Sequence, residues 1–553
     1  MDILIFPFLV SSYLLVLGKF IVTKFFKNFN SDKTVEYIIS IIFLSNLFLI
    51  LNFFTSLNKF INTLIFFIPL IYIFFLDKKL IFENIKISLI FSVFFVLLIS
   101  FDNINRPDAG LYHLPYISTL NENKIIVGLA NLHFRFGHTS ILQYLEAGFN
   151  NFIFRELGIL IPKSILFFSI SLYFFREFQI NLKAKRSFFS ILSFLIFFQI
   201  LYDMNRYSYH GNDVPAHLII YFVSYYFLKN NISSYNNFFL VSIFCLFAFQ
   251  IKTTSIIMLL MPLAIIVLNK KFYFLLKNKN IIIIIFTIAW FLKNILISGC
   301  FIFPIKQTCL NDLYWNSSLL PSENDVYKVS EENEAWAKGW PERENKSLSY
   351  HDYIKSNWIK TWLKTHGQNV LLKKIIPLVL IIFIIYFFIR TEIKNSKISK
   401  NILLKNIIVF SILFVGFILW FWKFPTYRYG SSYIVGSIIF SQFYFFREFY
   451  LKSNLKKIFR FMIFFIFTVI TIKYLVKYDE NKNIWPNIYS FETSIQKPYN
   501  FKKIFKKELF LYYYTGGGKL CMYSPSPCTN ITVHKNVNLK IVNGYRIYFL
   551  ENK

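Results

Sequence analysis

Charge is scarce in this chain. Of its 553 residues only 16% are charged, while 56% are hydrophobic and 21% aromatic. A soluble protein of this size exposes far more charge, so the composition, with a mean hydropathy of +0.49, indicates a polytopic membrane protein. Acid is scarcer still, with 29 Asp and Glu against 60 Lys and Arg, a formal net charge of +31. Basic residues flanking apolar spans satisfy the positive-inside rule, so the excess calls for no nucleic-acid partner.

Other absences narrow the class further. No signal peptide is expected: the first apolar run starts at Ile3, behind Asp2 rather than a basic region, and no small-residue cleavage site follows. No HExxH or CxxC motif occurs, and the histidines lack a compact ligand spacing, which argues against a transition-metal site. The stretch TGGGKL (515–520) lacks the spacing and the Ser or Thr of a phosphate-cradling loop. No internal repeat is visible, which weakens an inverted-repeat transporter. Cysteine numbers five: Cys300 and Cys309 lie close together, Cys521 and Cys528 likewise, and Cys245 sits alone in an apolar run.

What the chain has in abundance is apolar runs of about 15 to 21 residues, the length needed to cross a bilayer core. They fall near 3–23, 35–55, 60–76, 85–101, 159–175, 187–203, 214–228, 237–251, 253–269, 280–298, 373–390, 403–421, 432–447 and 459–475. The fold class expected is an all-α polytopic membrane protein of about 14 transmembrane helices. Alternate connections carry dense Lys and Arg, as around Lys24, Lys78, Arg176, Lys270, Lys394 and Arg447, and are expected to be cytoplasmic. The loops 102–158, 204–213, 299–372 and 422–431 and the tail from 476 then share the external face, with both termini. The two close cysteine pairs fall on that side and suit disulfides in an oxidising compartment.

Two domains follow: a transmembrane domain over 1–475, with large external loops at 102–158 and 299–372, and a small external C-terminal region over 476–553. GLYHLPYISTL and TSILQYLEAGF in the first loop are too interrupted by polar groups to span, and read as helices lying at the interface. In LKIVNGYRIYFL, Asn543-Gly544 between alternating segments predicts a β-hairpin.

Chemistry gathers on the external loops. FDNINRPDAGLYHLPYISTL (101–120) supplies Asp102, Arg106, Asp108, Tyr112 and His113 at the end of the fourth span, and the same loop adds His133, Arg135 and His138. A partly buried carboxylate beside a cation is tunable as a general base. DMNRYSYHGNDVPAH (203–217) adds Asp203, Arg206, His210 and Asp213, and KFPTYRYG (423–430) adds Lys423 and Arg428. Lys252 lies between two short apolar runs, expensive there unless paired or functional. External cations run against the positive-inside trend; Arg206, Lys252 and Arg428 together suit a lipid phosphate, with Arg offering a bidentate grip. Taken singly, each cation reads better as a residue snorkelling to the interface, and only together do they read as a site; the first loop is equally a solvated one with aromatic anchors. A divalent cation (Mg or Mn) on Asp102 or Asp108 with donor phosphate is compatible with these carboxylates.

PDAGLYHLPYI followed by IIVGLANLHFRFGHTS resembles a group of bacterial polytopic membrane proteins related to the GT-C class of polyprenyl-phosphate-sugar-dependent glycosyltransferases. WFLKNILISGCFIFPI (290–305) and WFWKFPTYRYGSSY (420–433) are similar to further parts of that architecture. The resemblance implies a GT-C-like fold in the bacterial inner membrane. It also implies transfer of a sugar from a polyprenyl-phosphate donor to an acceptor hydroxyl, lipid-linked or on a glycan, at the periplasmic face. By motif position the base is Asp108, with Asp102 as a second candidate and His113 beside them. Tyr112, His133, Arg135, His138, His210 and Asp213 are then expected around the substrate. Two departures stand out: Asp102 and Asp108 are six apart where the class often has a close acidic pair, and Val127 stands where the group commonly has Pro. A polymerase or ligase of lipid-linked glycans, and a non-enzymatic lipid or oligosaccharide transporter, are the competing readings.

Overall fold

A computed structural model describes residues 2–26, 31–69, 72, 78–100, 108–184, 186–203, 211–316, 326–389, 400–442, 500–506, 508–517 and 519–551, with single residues and pairs between 460 and 475. Asp102, Arg106, Arg206 and His210 lie outside the described residues, as do parts of the expected spans at 60–76, 432–447 and 459–475.

Helices form where the apolar runs lie. The first four are α1 (Asp2–Phe25), α2 (Lys33–Asn52), α3 (Lys59–Phe67) and α4 (Lys78–Ser100). Two short helices, α5 (Leu114–Glu122) and α6 (Ile141–Phe149), lead into α7 (Ile161–Lys183), α8 (Ser187–Tyr202) and α9 (Asp213–Lys229). Then come α10 (Tyr235–Ile251), α11 (Leu260–Asn269) and α12 (Ile281–Ser298). The second long loop carries α13 (Val326–Ala337) and α14 (Tyr350–Lys355). It is followed by α15 (Ile359–Phe387), α16 (Lys400–Lys423) and α17 (Tyr427–Ser441).

Among the described residues, seven helices are long and apolar enough to cross a membrane: α1, α2, α4, α7, α12, α15 and α16. With 24 residues, α16 is about 36 Å long against about 30 Å of hydrocarbon. The chain is thus mostly helical and compatible with an integral membrane protein, but the longer count expected from the runs is not reached. Among the described residues, length is the reason: α3 has 9 residues, α8 has 16, α9 and α10 have 17 each, α11 has 10 and α17 has 15, while the expected span at 459–475 lies largely outside them.

The helices are turned inside out relative to those of a soluble protein. On α12, Ile284, Ile288 and Leu292, spaced four apart, are exposed, whereas Trp290, Lys293 and Asn294 are buried. An apolar stripe outside and polar groups inside suit a lipid surround.

Polar contacts gather the connections into two sets. At one end Lys33 Nζ donates to Asn84 (2.7 Å), Arg176 faces Asp32 (3.6 Å), Lys229 pairs with Glu177 (2.5 Å), and Lys405 donates to the Asn230 carbonyl (2.6 Å). At the other, Lys374 pairs with Asp203 (2.6 Å), Lys423 with Glu334 (3.0 Å) and Arg428 with Asp108 (3.1 Å). The first set joins loops dense in Lys and Arg; the second joins the loops between them.

The C-terminal region is a small β structure clasping that second end. β1 (Lys502–Lys506), β2 (Leu509–Tyr514) and β3 (Cys528–Thr529) make one sheet, in that order. β4 (Val537–Val542) and β5 (Tyr545–Leu550) make the expected hairpin. Asn543 and Gly544 take the two positive φ values, 49° and 74°, that such a two-residue turn needs. The β5 backbone bonds to the first loop: Val127 N–H donates to the Arg546 carbonyl (3.0 Å) and Tyr548 N–H to the Val127 carbonyl (2.9 Å). Cys300 is joined to Cys309 and Cys521 to Cys528.

The two segments expected to lie at the interface are helical, as α5 and α6, but they are not surface helices. Every residue of α6 is buried, and so are Leu114 to Leu120 of α5. Their polar residues are consumed internally: Ser118 bonds the Ser524 carbonyl, and Asn121 donates to the carbonyls of Leu57 (2.6 Å) and Ala147 (2.9 Å).

Candidate functional site

The site starts at a turn. Asp108 opens a widened helical turn, Ala109–His113, which runs straight into α5 with Pro115 in its first turn. The C-terminal region pins this turn: Met522 N–H donates to the Gly110 carbonyl at 2.8 Å, and a Cβ on Gly110 would meet the Met522 sulfur at 2.5 Å. His113 is set from α6. Ser140 and Gln143 form a capping box, in which the Gln143 side-chain oxygen accepts from Ser140 N–H (2.8 Å). Gln143 Nε2 is therefore the donor toward His113 Nδ1 (3.3 Å), which leaves the imidazole proton on Nε2. Burial pushes His113 down to about 3, so the ring is neutral at ordinary pH.

Arg428 arrives from the tight turn between α16 and α17. Gly430 lets that turn close, since a Cβ there would lie 2.3 Å from the Trp420 ring. His217 on α9 ties α17 in place, bonding the Arg428 carbonyl through Nε2 (2.9 Å) and the Ser432 hydroxyl through Nδ1 (2.7 Å). Asp213 begins α9, and Lys252 caps the end of α10 in an extended conformation.

These elements enclose a cavity of about 600 Å³. Its lining carries a row of alternating charges. Lys252 pairs with Asp213; Asp213 Oδ2 lies 3.9 Å from Arg428 Nε; Arg428 NH1 lies 3.1 Å from Asp108 Oδ2; Asp108 Oδ1 lies 3.7 Å from Arg135 NH1. Tyrosines back the cations: Lys252 sits 4.0 Å from the Tyr429 ring centre, and Arg135 5.2 Å from that of Tyr112. Phe167, Ile200, Leu218, Ile251 and Trp290 contribute apolar surface to the same lining. Burial alone would raise the pKa of Asp108, but Arg428, then Arg135, outweigh it and hold the carboxyl below its ordinary value of 3.8.

Of the residues singled out from the sequence, Asp108, Tyr112, His113, Arg135, His138, Asp213, Lys252 and Arg428 all line this one cavity. His133 does not. It is buried, and its Nδ1 accepts from Arg135 N–H at 3.1 Å, so it caps the turn that carries Arg135 instead of facing the cavity. Asp203 lines the wall but is fully engaged, accepting from Gln199 (2.6 Å), Tyr427 (2.7 Å) and Lys374 (2.6 Å).

Sequence reasoning missed several neighbours. His217, Gln250, Trp290 and Asn294 line the cavity, and behind them Lys293 is fully buried, donating to Thr139 (2.8 Å) under the Trp290 ring (3.5 Å). The signal for Lys293 was available: it is the one charge in IIIIIFTIAWFLKNILIS, and an ionisable group inside an apolar span marks a site by default.

A divalent cation does not fit the residues described. Both oxygens of Asp108 face guanidinium groups, which repel a cation, and no set of three metal-ligating side chains comes together among the described residues.

Residues 1–435 match the model of a family described as "Domain of unknown function (DUF8201)", a match that ends within α17 and leaves the C-terminal β structure outside. No curated protein and no solved structure matches the chain.

Proposed function

We propose that this chain, which belongs to the DUF8201 family, is a membrane glycosyltransferase that moves a sugar from a polyprenyl-phosphate donor to an acceptor hydroxyl. On this reading about 14 helices of a GT-C-like fold cross the bacterial inner membrane, and the cavity opens toward the periplasm. The observation that carries the reading is the cavity itself. Two carboxylates and three cations, drawn from four separate connections, converge on it, and apolar side chains complete its lining. An amphipathic anion matches both kinds of lining.

Arg428 and Lys252 hold the donor phosphate. Asp108 takes the proton of the acceptor hydroxyl as that oxygen bonds to the anomeric carbon of the sugar. The bond from that carbon to the phosphate oxygen breaks, and the electron pair leaves with the polyprenyl phosphate, where the two cations meet the growing charge. Tyr112, His138 and Tyr429 border the space for the sugar, and neutral His113 offers a hydrogen bond without a charge.

The test uses membranes holding the protein, supplied with polyprenyl-phosphate sugars and acceptor lipids. Addition of single sugars supports the transferase. Transfer of preassembled blocks would point to a ligase, and movement of the lipid without bond exchange to a transporter.

A further inference from the structure

We propose that Asp213 and Asp108 are built-in anions: they hold Arg428 and Lys252 until a phosphodiester displaces them, and the displacement frees Asp108 to accept a proton. This rests on the reading of the cavity as a phosphate-donor site.

The geometry leaves Arg428 no spare nitrogen. Its Nε faces Asp213 (3.9 Å), NH1 faces Asp108 (3.1 Å), and NH2 donates to the Tyr429 hydroxyl (2.6 Å). Lys252 is likewise engaged, paired with Asp213 over the Tyr429 ring. A phosphate therefore competes with the two carboxylates for these cations. The charge count favours that exchange. Lys252, Asp213, Arg428, Asp108 and Arg135 alternate in sign and end in a cation at both sides, so one phosphodiester charge neutralises the row.

The exchange changes Asp108. At present its two oxygens face two guanidinium groups, a poor state for a base. Once Arg428 turns to phosphate, Asp108 loses its nearest cation and gains an anion as neighbour, and both effects raise its affinity for a proton. Among the described residues, the groups facing it are Tyr112 and His113 on its own turn, Arg135 on the turn Phe134–His138, Arg428 and Tyr429 on α17, with Asp213 and Lys252 beyond. Of these, Arg428 alone touches both carboxylates, so it couples binding to basicity. By linkage, a ligand that raises proton affinity must take up protons when it binds.

The probe is farnesyl methyl phosphate, a phosphodiester whose single charge does not titrate near pH 5. Its binding to the purified full-length protein in detergent is followed by calorimetry in buffers of different ionisation heat, with dimethyl phosphate as the chain-free control. The wild type is expected to take up a fraction of a proton at pH 5, and Asp108→Asn none. Asp213→Asn is expected to bind the probe about tenfold more tightly, because an internal competitor is gone. Binding by the wild type with no proton uptake, and no tightening in Asp213→Asn, would overturn the exchange while leaving the donor-site reading in place. If neither compound binds the wild type, both fall. Should Asp213→Asn not fold, uptake by the wild type decides alone.

Discussion

Asp108 and Arg428 are 320 residues apart in the chain and 3.1 Å apart in space. Neither residue alone makes a site. One opens the turn that leads into α5, the other lies in the first turn of α17, and both line the cavity.

The first prediction concerns that pair. Asp108→Asn keeps the shape and removes the basicity, so turnover should fall about 10²–10⁴-fold while donor binding is no weaker. Arg428→Gln should instead weaken donor binding, about tenfold or more, since it removes a charge-assisted contact to phosphate. Measuring Kd and kcat on both variants separates the two roles, and equal losses in both constants would refute the assignment.

Acid sensitivity should trace to buried histidine. His113 and His133 are both buried, and that burial pushes them to about 3 from an ordinary 6.5. The unfolded chain binds their protons first, so stability falls as pH drops from about 6.5 toward 3, by up to about 1.4 kcal/mol per pH unit for each. His133→Asn offers an oxygen for the Arg135 N–H and carries no titrating group. Its midpoint in thermal unfolding should therefore drop less between pH 7 and pH 5 than that of the wild type.

Glu146 and Lys163 form a buried ion pair at 2.8 Å, joining α6 to α7 beneath the cavity. Lys163→Met alone leaves a buried carboxylate without its cation and should cost about 3–5 kcal/mol. Adding Glu146→Gln should recover most of that loss. A double-mutant cycle in detergent unfolding reads the coupling, and additive losses would show that the pair does not act as a unit.

Topology is open to a direct check. Reporters fused after Arg155, Lys346 and Lys519 should all signal the external side, because the loops joined to them meet at the cavity end, away from the dense Lys and Arg clusters. A cytoplasmic signal at any one would separate groups that the site requires on one face.

Much of this was legible in the sequence, for identifiable reasons. Apolar runs locate helices because a membrane demands length and hydropathy together. Asn543-Gly544 locates a turn because few other pairs accept two positive φ values. The polar residues of the loops expected to be external were legible as a set, since most of those described share one cavity. Their pairing was not: nothing local relates Asp213 to Lys252, or Asp108 to Arg428, because contacts between distant helices leave no periodic mark. His133 looked like its neighbours Arg135 and His138, and only the local backbone decides that its ring turns inward to cap. Lys293 escaped notice inside a span whose hydropathy overwhelmed one charge.

The hydrogen bond from Met522 to Gly110 has a consequence for the order of manufacture. The turn carrying Asp108 is synthesised early, yet the segment that fastens it is among the last to be made. Between those moments the helices can insert and pack while the turn lacks its clasp. A chain halted after α17 would hold the seven described helices long and apolar enough to cross a membrane and every described charged residue of the cavity, but not the segment that fastens the turn of its carboxylate. On the function proposed above, competence is thereby deferred until the final segment has been made and its two cysteines joined, and a chain lacking that segment is expected to show no transfer.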